Sequence, residues 1–350
     1  MRQRWRIAVE RVADVTFRSL GLLALMRDLD SRRAQVVRVL AYHRVNNTAC
    51  DPLDGHPTIL SASPEAFAEQ IRLLVRHYTP IGPSALQASL ESGRPLPSRS
   101  VMVTFDDAYR DFQTDAWPIL KAHGVPVVLF VPTDYPDRNR AFWWDELWRM
   151  VAQTSRPSLP VDGVGRVDLR SIEGRWTAVR RLQAPLLYQR SEAIERRIEV
   201  IRLALDVPSA SGSTALGWDE LRDLAREGVV IGSHGRSHTS MLALSDPEVV
   251  DEIEGSQAVL DREVGSPWRL FAYPFGHTDP RAIPVLRRGR FLAAFGTLPG
   301  RNVLPLRDRY AMFRQTVGSE HSFSRMQFGL LGLYPGPLGR LRTSNTFRTS

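Results

Sequence analysis

Apolar residues in this chain recur in two alternating rhythms. Short continuous runs at Val36–Tyr42 and at residues 101–105, 125–131, 229–232, 269–273 and 292–295 read as buried strands. Stretches with three-to-four-residue apolar spacing lie between them and predict helices over Pro64–His77, 109–123, 218–227, 246–264 and 280–290. Strands that alternate with helices imply a mostly parallel sheet with helices outside it, open or closed into a barrel. Residues 133–216 break the rhythm. They begin with the aromatic run Phe142, Trp143, Trp144, pass through a stretch read as loop over 155–174, and end in a charged helix around 191–206. This reads as a helical insertion between two strands, its aromatics mostly core, with stacking on sugar rings as the alternative. The pattern divides the chain into an N-terminal segment (1–35), a body (36–318) carrying the insertion (133–216), and a loosely ordered tail (319–350).

In residues 1–30, Trp5, Val9, Val12, Thr16, Leu20 and Leu23 form an apolar stripe at helical spacing, with most arginines off it. Glu10, Arg11, Asp14 and Arg18 interrupt the run, which argues against a signal peptide. The longest clean apolar stretch, residues 20–26, is far short of the about 20 residues a membrane span needs. A helix packed on the body is one reading. The other is a basic amphipathic helix on an anionic membrane surface. Either fits a cytoplasmic protein, in the second case peripheral at the inner membrane face.

Charge sharpens this picture. The net charge is +8, and Lys121 is the sole lysine among 46 basic residues. Residues 1–44 hold ten arginines against four acids, so the rest of the chain is nearly neutral. That leaves no basic groove for nucleic acid. One cysteine, Cys50, rules out an internal disulfide and a thiolate metal cluster.

Two runs carry candidate chemistry, each directly after a predicted strand. The first is Thr104-Phe105-Asp106-Asp107-Ala108-Tyr109. Adjacent carboxylates at the end of a buried strand are costly unless a cation or proton relieves them. A helix cap with an acid in its first turn is the plain alternative. The second run, Ile231 through His238, sets His234 and His238 four residues apart, where both can reach one metal. Two solvated loop histidines are the alternative there. Together the runs offer the minimum for a divalent-metal hydrolytic site: carboxylate, two histidines and a spare carboxylate as base.

As an ordered set the motifs resemble those of the NodB-homology polysaccharide deacetylases, metal-dependent carbohydrate esterases built on an irregular (β/α) barrel. Residues 104–109 are similar to that family's first motif, residues 233–238 to its second, and residues 271–276 (Phe-Ala-Tyr-Pro-Phe-Gly) to its third. Residues 40–45 (Leu-Ala-Tyr-His-Arg-Val) resemble the N-terminal segment of the biofilm-type branch. The likeness runs from about residue 36 to 317.

The resemblance implies removal of N-acetyl groups from an amino-sugar glycan or glycolipid. It implies that Asp107, His234 and His238 bind a divalent metal, zinc foremost, with cobalt, nickel, manganese or iron as alternatives. Asp106 would be the base, the backbone N–H of Phe275 part of the oxyanion site, and His43 the acid that protonates the leaving amine, with His277 as alternative acid. Ala272 stands where the commoner third motif has an arginine that orients the base; Arg269 and Arg314 are the candidate substitutes. The C-terminal Leu-x-His motif of the commoner branch is missing, and residues 310–314 occupy that stretch. A hydrolase of a non-sugar amide or imide, and a glycan-binding domain without turnover, are the rival readings.

Overall fold

The structure is a computed structural model and describes residues 35–47, 59–138, 140–161, 165–209, 212–319 and 323–332. The amphipathic pattern of residues 1–30 and most of the tail lie outside the described residues. Six parallel strands form the central sheet: β1 (Val36–Tyr42), β2 (Ser100–Phe105), β3 (Val127–Val131), β4 (Val230–Ser233), β5 (Leu270–Ala272) and β6 (Ala293–Phe295), paired in that order. A seventh segment closes them. Met312 bridges Phe295 of β6 in parallel, and β7 (Gln315–Thr316) pairs in parallel with Leu40 and Ala41 of β1. The sheet is thus a small irregular barrel.

Alternation along the strands sorts their side chains into two layers. Leu40, Tyr42, Val103, Phe105, Leu129 and Ile231 pack with the outer helices. Val37, Val39, Met102, Val128, Phe130, Leu270, Phe295 and Met312 form a separate core. Phe130 and Phe295 sit on strands three places apart, yet their ring centroids are 5.7 Å from each other, so this second set fills the barrel's interior. Gly232 permits that filling: a Cβ there would sit 2.7 Å from the Phe130 ring. Continuing the inward parity one step past the ends of β2 and β4 reaches Asp106 and His234, and two residues on from Met312 it reaches Arg314, just before β7, so the barrel's own geometry aims those three residues at one place.

Several predicted elements differ in detail. The stretch read as a loop over 155–174 contains an antiparallel hairpin, Ser158–Val161 with Gly165–Asp168, followed by the helix Ile172–Leu186. Leu159, Val167 and Leu169 are buried in it, an alternation too short to stand out among its charges. The helix predicted over 109–123 begins instead with a turn and a wide π turn, Phe112–Ala116, before Trp117–Ala122. The one predicted over 246–264 carries another π turn, Asp251–Gly255, in its middle.

Residues 319–350 were expected to be loosely ordered, but Phe323–Leu330 is a helix whose Met326 and Leu330 are buried. Met326 lies 3.8 Å from the Tyr42 hydroxyl, and the Arg38 side chain donates to the Leu330 carbonyl. A short apolar face docking on the barrel outweighs the segment's polar composition.

Between β3 and β4 the helices Trp143–Gln153, Ile172–Leu186 and Ser191–Leu205 share their own apolar core, which includes Trp144, Trp148, Leu182 and Ile198. Trp143, Trp144 and Trp148 are all buried, which leaves little of their faces for a sugar. No helix among the described residues is long and apolar enough to cross a membrane.

Candidate active site

Asp106 follows β2, His234 follows β4 and His43 follows β1, so all three leave strands at the carboxyl end of the barrel, where α/β folds build their sites. Tight backbone is needed to bring both members of each motif inward. Asp107, Ala108, His238 and Phe275 all have positive φ (71°, 51°, 58° and 56°), a cost non-glycine residues bear only where the surroundings fix it. Gly276 also has φ +71°, and a Cβ there would sit 1.8 Å from Thr297 Oγ1, so only glycine fits.

Asp107 Oδ1 lies 3.0 Å from His238 Nε2 and 3.5 Å from His234 Nε2. All three side chains are buried. That oxygen nevertheless has no hydrogen-bond donor. A buried carboxylate oxygen between two imidazole nitrogens, with no proton shared, is costly alone and fits a divalent cation. Among the described residues these three form the group whose donor atoms lie close enough, within 4.8 Å of one another, to hold one ion.

The second contact of His234 sets its tautomer. Nδ1 is 2.7 Å from the Ala272 carbonyl and donates to it, so Nε2 keeps its lone pair toward Asp107. Burial pushes this imidazole down to about 4, so it is neutral at pH 7, as a ligand must be. The His238 ring is held by aromatics, with Trp144 at 4.5 Å and Phe275 edge-on at 4.6 Å.

Asp106 has a different environment from its neighbour. Arg314, fully buried, grips both its oxygens at 2.7 Å and also donates to the Gly296 carbonyl and to Thr104 Oγ1. Burial opposes ionisation, but the guanidinium, helped by His234 and His43, holds this carboxyl well below the usual range. Burial likewise opposes ionisation of Asp107, and there His238, His43 and His234 outweigh it. Of the two candidate substitutes for the arginine absent at Ala272, Arg314, from the closing segment, is the one that reaches Asp106. Arg269, the other candidate, is on the outside, bonded to the Gly289 carbonyl and to Asp261.

His43 is half-buried, and its imidazole is near enough to act electrostatically on both aspartates. Its backbone N–H donates to Ser61 Oγ, which fixes the chain as it leaves β1. His277 points elsewhere: its Nδ1 is 3.0 Å from Ser240 Oγ and its ring stacks on Tyr188. Phe275 lies in the turn after β5, its ring against His238 and 5.9 Å from Trp144.

Two further residues support the site, and their roles had no signal in the sequence motifs. Glu252, in the π turn, accepts hydrogen bonds from the N–H groups of Arg236 and Ser237 and from the Ser237 hydroxyl, clamping the loop between the two histidines. Tyr109 accepts from Trp144 Nε1 and donates to Asp145, each at 2.8 Å, which ties the turn after Asp107 to the insertion.

Comparison with known proteins bears on the fold and the family. Residues 93–155 and 191–291 match the family model "Polysaccharide deacetylase". The poly-beta-1,6-N-acetyl-D-glucosamine N-deacetylase of Escherichia coli (strain K12) is 29% identical over 133 residues, covering 34% of this chain but only 19% of that relative. Among solved structures, the Streptococcus pyogenes deacetylase PplD in complex with acetate superposes with a TM-score of 0.56 at 15% identity, covering 85% of this chain and 99% of that one. IcaB from Ammonifex degensii gives a TM-score of 0.54 at 18% identity, covering 85% of this chain and 97% of its own. These likenesses are of fold, and the fold is that of the deacetylase barrel. The two matched stretches make up just under half of the chain, and over them it resembles the polysaccharide deacetylase family.

Proposed function

We propose that the chain is a metal-dependent hydrolase that removes N-acetyl groups from an amino-sugar glycan or glycolipid. The observation that carries this reading is the division of labour between adjacent aspartates: Asp107 shares a donor cluster with His234 and His238, while Asp106 is held ionised by Arg314 beside it. Asp107, His234 and His238 would hold the metal, zinc foremost for a His₂Asp donor set. When bound, it supplies Lewis acidity that polarises the acetamide carbonyl and acidifies water.

The chain's own residues do the rest. Asp106 accepts the proton of the attacking water as a new C–O bond forms at the acetyl carbon. The backbone N–H of Phe275 holds the developing oxyanion. His43 gives a proton to the amine nitrogen as the C–N bond breaks, releasing acetate and the free amino sugar. His43 is favoured over His277 because its imidazole acts on both aspartates, whereas His277 is engaged with Ser240 and Tyr188. Arg314 keeps Asp106 ionised and aimed, at some cost in basicity.

The relative's polymeric N-acetylglucosamine substrate suggests the substrate class. A lipid-linked precursor at an inner membrane face, reached through residues 1–30, is the finer form of the proposal. Zinc-loaded protein should release acetate from N-acetylglucosamine oligomers, and chelation should stop it. Acetate release from simple amides but not from any acetylated saccharide would replace this reading with a non-sugar amidase. Metal binding without turnover of either would leave a binding domain.

A further inference from the structure

The opposite end of the barrel carries a second cleft, of about 650 Å³, that takes no part in the chemistry above. Its walls come from the segments entering β1, β2 and β6 and from the stretch before β7, which places it at the amino ends of the strands. Four arginines line it: Arg94, Arg287, Arg307 and Arg309. None of these guanidinium groups has a carboxylate or hydrogen-bond partner among the described residues; Arg309 only lies over the Tyr310 ring, 5.3 Å from its centre. The cleft's one acid, Asp308, accepts from the Tyr310 N–H instead.

This is unlike another arginine-bearing cleft, beside His238. There Arg138, Arg140 and Arg190 face Asp134, Glu195 and Glu248 respectively. The Arg-rich composition therefore does not by itself produce unpaired clusters.

Four forked cations lining one concave surface, none of them neutralised by a carboxylate among the described residues, suit the tetrahedral oxyanion of a phosphate ester. Arginine matches that group bidentately, and a dianion compensates several charges at once. We propose that this cleft binds a phosphate-bearing group, from either an anionic lipid headgroup or a soluble phosphate. The site is independent of the reaction proposed above, since none of its residues touches the aspartates or histidines.

The test uses the full chain and two probes. Inorganic phosphate is titrated calorimetrically at low salt, and sedimentation is measured with phosphatidylcholine vesicles with and without phosphatidylglycerol. Binding to phosphate identifies a soluble ligand as sufficient; binding only to phosphatidylglycerol vesicles identifies the headgroup. In either case the combined variant Arg94→Gln, Arg287→Gln, Arg307→Gln should weaken binding on the order of a hundredfold, at about fivefold per arginine near a charged surface. These side chains are exposed, so the variant should melt as the wild type does. A control with Arg72→Gln, Arg76→Gln and Arg181→Gln removes three exposed charges outside the cleft and should bind as the wild type does. If the control loses as much affinity, binding follows net charge and the site is overturned. If the wild type binds neither probe, it is overturned outright.

Discussion

Asp106 and Asp107 are neighbours in sequence with opposite surroundings, and their substitutions should separate accordingly. Asp106→Asn should keep its metal and lose roughly 10²–10⁴ in rate, since an amide cannot take the water proton. Asp107→Asn should lose metal affinity, with activity partly restored by excess metal; retention of metal in Asp107→Asn and its loss in Asp106→Asn would reverse the roles. Arg314 offers a pH test. It holds the Asp106 carboxyl below its ordinary range, so Arg314→Gln should raise that value and leave the base protonated to higher pH. The acid limb of kcat/KM should then move up, while Arg314→Lys, which keeps the charge but not the fork, should move it less. An acid limb that stays in place would remove Arg314 from the mechanism. These residues also differ in how they could be read. The carboxylate pair and the two histidines each sit within a few positions of one another, so local spacing was enough to group them. Arg314 is 208 positions from Asp106 and reaches it only because the barrel closes. Sequence could mark Ala272 as lacking an arginine but could not choose between Arg269 and Arg314.

At the scale of elements, the alternation of strand and helix was legible because each buried strand is a continuous apolar run. The interruptions were not. A π turn changes the hydrogen-bonding step without changing composition, so residues 246–264 read as one uniform helix, and the wide turn that carries Glu252 was invisible. That turn makes Glu252 part of the site. Burial raises its carboxyl above the ordinary value, against three hydrogen bonds from Arg236 and Ser237 that favour the charged form. A glutamine side chain has one acceptor oxygen where the carboxylate has two. Glu252→Gln should therefore loosen the loop that sets His238 and lower metal affinity roughly 10- to 100-fold, as losing an outer support of a ligand does. The expected signature is a higher metal requirement with near-normal rate at saturating metal. A fall in rate that no amount of metal restores would assign Glu252 a role in the chemistry itself.

Across the whole molecule, the sequence pattern left open whether the sheet closes, because closure rests on Met312 and on the two residues of β7, too short a stretch to read as a strand. The same closure brings Arg314 to Asp106, so barrel and site form together. The metal-ligand set also joins distant parts: Asp107 follows β2, while His234 and His238 follow β4, with β3 and the whole segment of residues 133–216 between them in the chain. An unfolded chain cannot present those three ligands together, so a bound metal should stabilise the native state by mass action, about 2.7 kcal/mol at a hundredfold excess over Kd. Melting should therefore rise by several degrees on adding zinc to chelated protein, at roughly 2–4 °C per kcal/mol for a domain of 150–250 residues and somewhat less for a longer chain. Asp107→Asn should cancel most of that rise. Equal zinc-induced shifts in wild type and Asp107→Asn would place the stabilising metal away from these three residues.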